Sequence, residues 1–261
     1  MSILHLEKRI CETIKDYRDR FFIAISTDEG TIQLNADRQV RAASVVKVPI
    51  MIEAFRQVEA GSVELDQPVD IDEGSKVGGC GVIKYLARSN RFTFRNLLEL
   101  MVIVSDNTAA NLVLDKVGMN SVNQLFEQLG CRNTQIERKF MDAEAIEAGR
   151  DNYTSASDMI TLLKIIGETN ALITQSSRSQ MLEILSRQQF RQKLPCYSDP
   201  DSGVRFYNKT GEIPGVEHDV AIVQRGKARI YAAVLTQGWQ NNGMAQRYLA
   251  EIGKHLIAYM S

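Results

Sequence analysis

Ile3, Leu6, Ile10, Ile14 and Tyr17 recur at helical spacing, so residues 3–18 predict an opening helix. FFIAIS (21–26) and TIQLN (31–35) read as strands joined by the turn residues Asp28, Glu29 and Gly30. The period then changes. SVVKVPIMIEAFRQVEAG (44–61) is apolar on most sides and stops at Gly61, the pattern of a helix buried all round. Residues 62–92 mix loop with short extended segments. Further helices are expected at 93–104, 107–118, 120–130, 154–168 and 176–188, the first two broken at Ser105-Asp106, with 134–153 a loop. The tail returns to strands at 204–211, 219–226 and 228–237, and a helix at 243–260 closes the chain.

Strands at both ends and helices between them predict an α+β fold. An antiparallel sheet flanked by helices from both chain ends would pack on an inserted all-helical lobe. The expected division is a discontinuous α/β lobe, 1–42 with 200–261, and a helical lobe, 43–199. The 261 residues fit one unit of two intimate lobes.

Charge and cysteines narrow the function. Lys plus Arg is 31 and Asp plus Glu is 32, which removes any general electrostatic reason for a nucleic-acid partner. Cys11, Cys80, Cys131 and Cys196 have no CxxC or CxH spacing, and His5, His218 and His255 are dispersed, so no zinc site is expected. The cysteines read as thiols, with Cys80, beside Gly78, Gly79 and Gly81, the one expected at the surface. No stretch has the roughly 20 apolar residues of a membrane span. The N-terminus has no apolar signal region. The expected location is the cytoplasm, or the periplasm or exterior if a leader has been removed.

Three short motifs carry the chemistry. Ser44-Val45-Val46-Lys47 places a hydroxyl and an amine three apart on one helical face, where a desolvated lysine can serve as base to the serine. Ser105-Asp106-Asn107 makes a polar break between apolar helices, with Ser105 a candidate proton shuttle and Asn107 a candidate amide ligand. Lys209-Thr210-Gly211 ends a strand, where Lys209 and Thr210 could receive an anion and Gly211 permit close approach. Each has a plain structural reading too: a capping serine with a snorkelling lysine, an interhelical cap, and a strand-ending turn. In this order, however, SxxK, SDN and KTG form the set of acyl-serine enzymes.

On these motifs the chain resembles the class A β-lactamases, within the wider serine penicillin-recognising family. The resemblance implies an α/β lobe on a helical lobe, with the site in the cleft between them. It implies Ser44 as the acylated nucleophile, Lys47 as its activator, and Ser105 as the relay to the leaving nitrogen. Asn107 would bind a substrate amide, Lys209 and Thr210 a carboxylate, and the N–H groups of Ser44 and Glu212 the oxyanion. Arg150 and Asp151 resemble the pair whose salt bridge closes the omega loop. The implied substrate is a small molecule with a carboxylate and an amide or ester. No metal, organic cofactor, membrane or obligate protein partner is implied.

The departures bear on turnover. Class A enzymes carry Glu-x-x-x-Asn in the omega loop, the Glu activating the deacylating water, whereas RKFMDAEAIEAGRDN (138–152) is shorter and lacks it. Glu144, then Asp142, are the candidate replacements, with Glu147 behind them. Without such a group, deacylation would be slow. His218 falls where many relatives place a carboxylate-holding arginine, and its alternative is a turn residue before the strand at 219. Glu212 would disfavour an anionic substrate, and Cys80 stands near the usual position of an aromatic gate. The leading expectation is β-lactam hydrolysis. Its rivals are a D-Ala peptidase, esterase or other amide hydrolase with the same site, and a non-hydrolytic penicillin-binding protein.

Overall fold

The computed structural model describes residues 1–87 and 91–261. Its helices are α1 Ile3–Thr13, α2 Lys47–Glu59, α3 Phe94–Ile103, α4 Asn107–Val117, α5 Met119–Leu129, α6 Ala143–Glu147, α7 Ala156–Gly167, α8 Gln175–Ser186 and α9 Asn242–Met260. Its strands are β1 Phe21–Ser26, β2 Thr31–Leu34, β3 Val40–Arg41, β4 Pro68–Val69, β5 Phe92–Thr93, β6 Tyr153–Thr154, β7 Arg205–Ile213, β8 Val216–Arg225 and β9 Ala228–Gln237. No described helix is long and apolar enough to cross a membrane.

Five strands pair antiparallel in the order β2-β1-β9-β8-β7, so both chain ends build one sheet. Alternation along the strands gives the sheet two apolar faces. Ile23, Ala221, Ala232 and Val234 pack under α1 and α9, while Ala24, Val220, Ala233 and Leu235 join the larger core of α2–α5, α7 and α8. This is the α+β arrangement expected. Every residue from Lys47 to Phe55 is buried, which accounts for the nearly all-round apolar pattern of α2.

Several local expectations change. The opening helix stops at Thr13, and Lys15–Arg20 forms a 3₁₀ turn. Tyr17 leaves helical geometry at φ −137° and sets its ring against Trp239 and Tyr248. Within the loop at 134–153, α6 forms over Asp142, and Tyr153 opens β6, which pairs with β3. The expected gap between the strands ending at 211 and starting at 219 is a tight hairpin turning at Pro214-Gly215. Gly215 takes φ +76°, which suits glycine at such a turn. The extension from 211 to 213 and back to 216 carries Glu212 and His218 into paired strands.

Candidate active site

Ser44 lies in a 3₁₀ turn, Ala43–Val46, that runs directly into α2. The preceding residue, Ala43, has φ +45°, and Ser105 has φ +56°. Non-glycine residues pay a steric penalty in this region, and such strain collects at working sites. Both strained turns face one cleft, lined by Ser44, Gly79, Cys80, Ser105, Phe190, Gln192, Thr210, Glu212, Ile213, Pro214 and Asn242.

Lys47 is fully buried, and its Nζ donates to Ser105 O at 2.7 Å and Asn107 Oδ1 at 2.8 Å, with Ser105 Oγ at 3.1 Å. Lys209 Nζ approaches the same Ser105 Oγ at 3.0 Å from β7 and donates to Thr210 O at 2.7 Å. Burial lowers Lys47 to about 7, against the upward pull of Cys80 and Asp106. Burial also holds Lys209 well below its ordinary range, aided by repulsion from Lys47 and Lys193. Ser105 thus sits between two lysines that burial biases toward the neutral amine. A hydroxyl so placed can take a proton from one side and give one to the other.

Asp106 is the cap its position suggests, Oδ1 accepting from Ala109 N at 2.9 Å. Its Oδ2 also accepts from Val82 N at 2.7 Å and Ile83 N at 2.8 Å, which pins the glycine-rich loop over the site. Gly81 has no room to change, because an added Cβ would lie 2.3 Å from Asp106 Cγ. Asn107 completes the clasp through Nδ2 to Gly78 O at 3.1 Å. Cys80 is exposed, as expected, and so is Cys196.

On the opposite wall, a Cβ on Gly211 would meet Ser44 N and Val45 N at 3.2 Å. Glycine there lets β7 come close to the turn that carries Ser44. Ser44, Lys47, Ser105, Asn107, Lys209, Thr210, Gly211 and Glu212 are therefore gathered at one place.

The omega-loop candidates are not. Asp142 caps α6, accepting from Ala145 N at 2.9 Å, and Glu144 is exposed. Neither lines the cleft, nor does Glu147. The loop instead presents Phe140, whose ring centroid is 4.5 Å from Lys47 Nζ. Asn111 fixes this residue by both backbone groups, Phe140 N donating to Oδ1 at 2.8 Å and Nδ2 donating to Phe140 O at 3.0 Å. An aromatic residue gave no sequence signal of a role beside a lysine.

Arg150 also moves out of its expected role. It is exposed, while Asp151 pairs with Arg138 and Arg41, each at 2.6 Å. The two arginines tie the ends of the loop to each other and to the segment before Ser44. His218 is fully buried in β8, outside the cleft. Its Nδ1 accepts from Thr236 N at 3.0 Å, which leaves the proton on Nε2 to donate to Arg41 O at 2.8 Å. Burial lowers it to about 4, so it is a neutral brace for the segment before Ser44 and neither a carboxylate ligand nor a turn residue.

Fold and cleft together define a serine-hydrolase-type enzyme. The chain matches the Beta-lactamase2 family, the β-lactamase enzyme family, over residues 5–260 and belongs to it. Among solved structures it is similar to a β-lactamase from Sphaerobacter thermophilus, with 27% identity, TM-score 0.90, and 98% of this chain and 97% of that one covered. A point mutant of PBP-A, solved as an acyl-enzyme complex with penicillin G, shares the fold at 23% identity and TM-score 0.87, covering 100% of this chain and 97% of that one. A β-lactamase regulatory protein of Streptomyces cacaoi is 20% identical over 85% of this chain and 86% of that protein.

Proposed function

We propose that the protein opens β-lactams by acylation of Ser44, and that hydrolysis of the resulting ester is the slow step. The observation that carries the first half is Ser105 Oγ held between Lys47 Nζ and Lys209 Nζ beside Ser44. In this reading neutral Lys47 takes the Ser44 proton, directly or through one water, as Oγ bonds to the lactam carbonyl carbon. The carbonyl electron pair moves onto oxygen, facing the N–H groups of Ser44 and Glu212. Ser105 then passes a proton to the ring nitrogen as the carbon–nitrogen bond breaks. The Thr210 hydroxyl and Lys209 Nζ hydrogen-bond the substrate carboxylate, and Asn107 orients its side-chain amide.

The slow second half rests on Phe140. The loop sets an aromatic face over Lys47, and no acid from 142–147 lines the cleft. This favours a second reading of the physiological substrate, a peptide or ester ending in a D-alanine-like group, with β-lactams acting as acylating mimics. The acyl-enzyme complex of the PBP-A variant supports acylation on this scaffold.

Intact mass followed over time with benzylpenicillin, alongside the ring-opened product, separates the readings. Fast turnover supports a β-lactamase in full and overturns the slow second half. A persistent adduct on Ser44 supports the penicillin-binding or peptidase reading. No adduct together with no ring-opened product, or an adduct or turnover that survives Ser44→Ala, overturns both.

A further inference from the structure

A single ammonium group joins two strands behind the cleft. Lys193 is fully buried, and its Nζ donates to Gly211 O at 3.0 Å and His218 O at 3.2 Å. It also pairs with buried Glu217, whose Oε1 accepts from Gln246 Nε2 at 3.1 Å. Gly211 and His218 are opposite each other in the β7–β8 register. Neighbouring strands lie about 4.8 Å apart, so one nitrogen reaches both carbonyls only if both point into the seam between the strands. In a trans peptide the N–H points opposite to the C=O. The Gly211 carbonyl and the Glu212 N–H are two ends of one peptide unit. The Glu212 N–H is therefore aimed off the free edge of β7, toward the cleft that Glu212 lines.

We propose that Lys193 is a positioning residue for acyl transfer, holding and polarising the Gly211–Glu212 peptide so that its N–H becomes a fixed, strengthened oxyanion donor. The role rests on the acyl-transfer reading above. A cation on the carbonyl oxygen draws electron density from the amide nitrogen, which strengthens the N–H by about 10–30% on the scale of cooperative hydrogen bonds. The donor is then in place before charge develops on the substrate oxygen. Burying an ammonium and a carboxylate costs desolvation that an apolar pair would avoid. A clamp for the chain around Leu194 would not need Lys193, because Leu194 N already donates to Asp219 Oδ2 at 3.0 Å.

Three proteins test this: wild type, Glu217→Gln, and the double variant Lys193→Met with Glu217→Gln, which leaves no buried charge unpaired. Labelling with carbonyl-¹³C glycine and ¹⁵N glutamate marks two peptide bonds, Gly167–Glu168 and Gly211–Glu212, the first an internal reference. The double variant is expected to move the Glu212 amide nitrogen upfield and leave Glu168 in place. It should also slow Ser44 acylation by a chromogenic β-lactam about tenfold, less than complete loss of an oxyanion donor, with an unchanged pH midpoint. Glu217→Gln, which keeps the Lys193 amine within hydrogen-bond reach of the Gly211 carbonyl, should slow acylation by less than the double variant does. An unmoved Glu212 resonance in the double variant overturns the proposal, as does equal slowing in both variants. If wild type forms no acyl-enzyme, the functional reading falls, and the Glu212 resonance alone decides the role of Lys193.

Discussion

Lys47 Nζ lies 4.5 Å from the centroid of the Phe140 ring, so the omega loop covers the buried lysine with an aromatic face. A cation there gains from the negative face of the ring, but the ring has no oxygen to activate a water. Phe140→Glu places a carboxylate at that point on a backbone already fixed by Asn111. The lifetime of the penicilloyl adduct, read by intact mass, should fall by about 100-fold, the low end for a positioned general base. An unchanged lifetime would show that another feature limits deacylation.

Acylation should depend on pH through Lys47. A base acts only when neutral, and burial lowers this lysine to about 7. The second-order acylation rate is expected to rise with pH to a plateau above about 7. Lys47→Arg should remove this limb and slow acylation by about 100-fold or more. A profile flat between pH 5.5 and 8.5 would rule Lys47 out as the titrating base.

His218 should contribute to stability in a pH-dependent way. Its folded value, about 4, is below its ordinary 6.5, so the unfolded chain takes up the proton first. The contribution is present in full above 6.5 and is lost as pH falls through about 4. The shift corresponds to about 3 kcal/mol at most. The stability gap between wild type and His218→Gln, from urea unfolding, should narrow by that order from pH 7 to pH 4. A constant gap would mean the imidazole is not held neutral.

The loop should be more sensitive at Arg138 than at Arg150. Arg138→Ala leaves Asp151 with Arg41 alone, and breaking a largely buried ion pair costs about 3 kcal/mol. Arg150→Ala changes an exposed side chain and should stay within about 0.5 kcal/mol of wild type. Thermal melts of the two variants provide the comparison, and equal losses would contradict the pairing described.

The sequence made the α+β layout readable because the two periodicities separate cleanly along it. FFIAIS, the largely apolar α2 and the closing strands left few topologies open. Ser44, Lys47, Ser105 and Lys209 were legible as well, since they stand in short motifs. What escaped depended on distant pairing. Arg138 is found only when Asp151 is followed across the loop, and His218 changes meaning once the hairpin turns at Gly215 instead of leaving a gap. Lys193 and Phe140 belong to no motif, and their roles come from burial and from backbone groups that sequence patterns do not describe.

The sheet takes β1 and β2 from early in the chain and β7–β9 from its last third. On the ribosome, Ser44 emerges well before the strand that carries Lys209 and the Glu212 N–H. At about 5–20 residues per second that interval is on the order of ten seconds. Through it Ser44 and Lys47 lack the wall that supplies Lys209 and the Glu212 N–H. The nascent chain is therefore expected to be inert toward acylating compounds until synthesis is nearly complete.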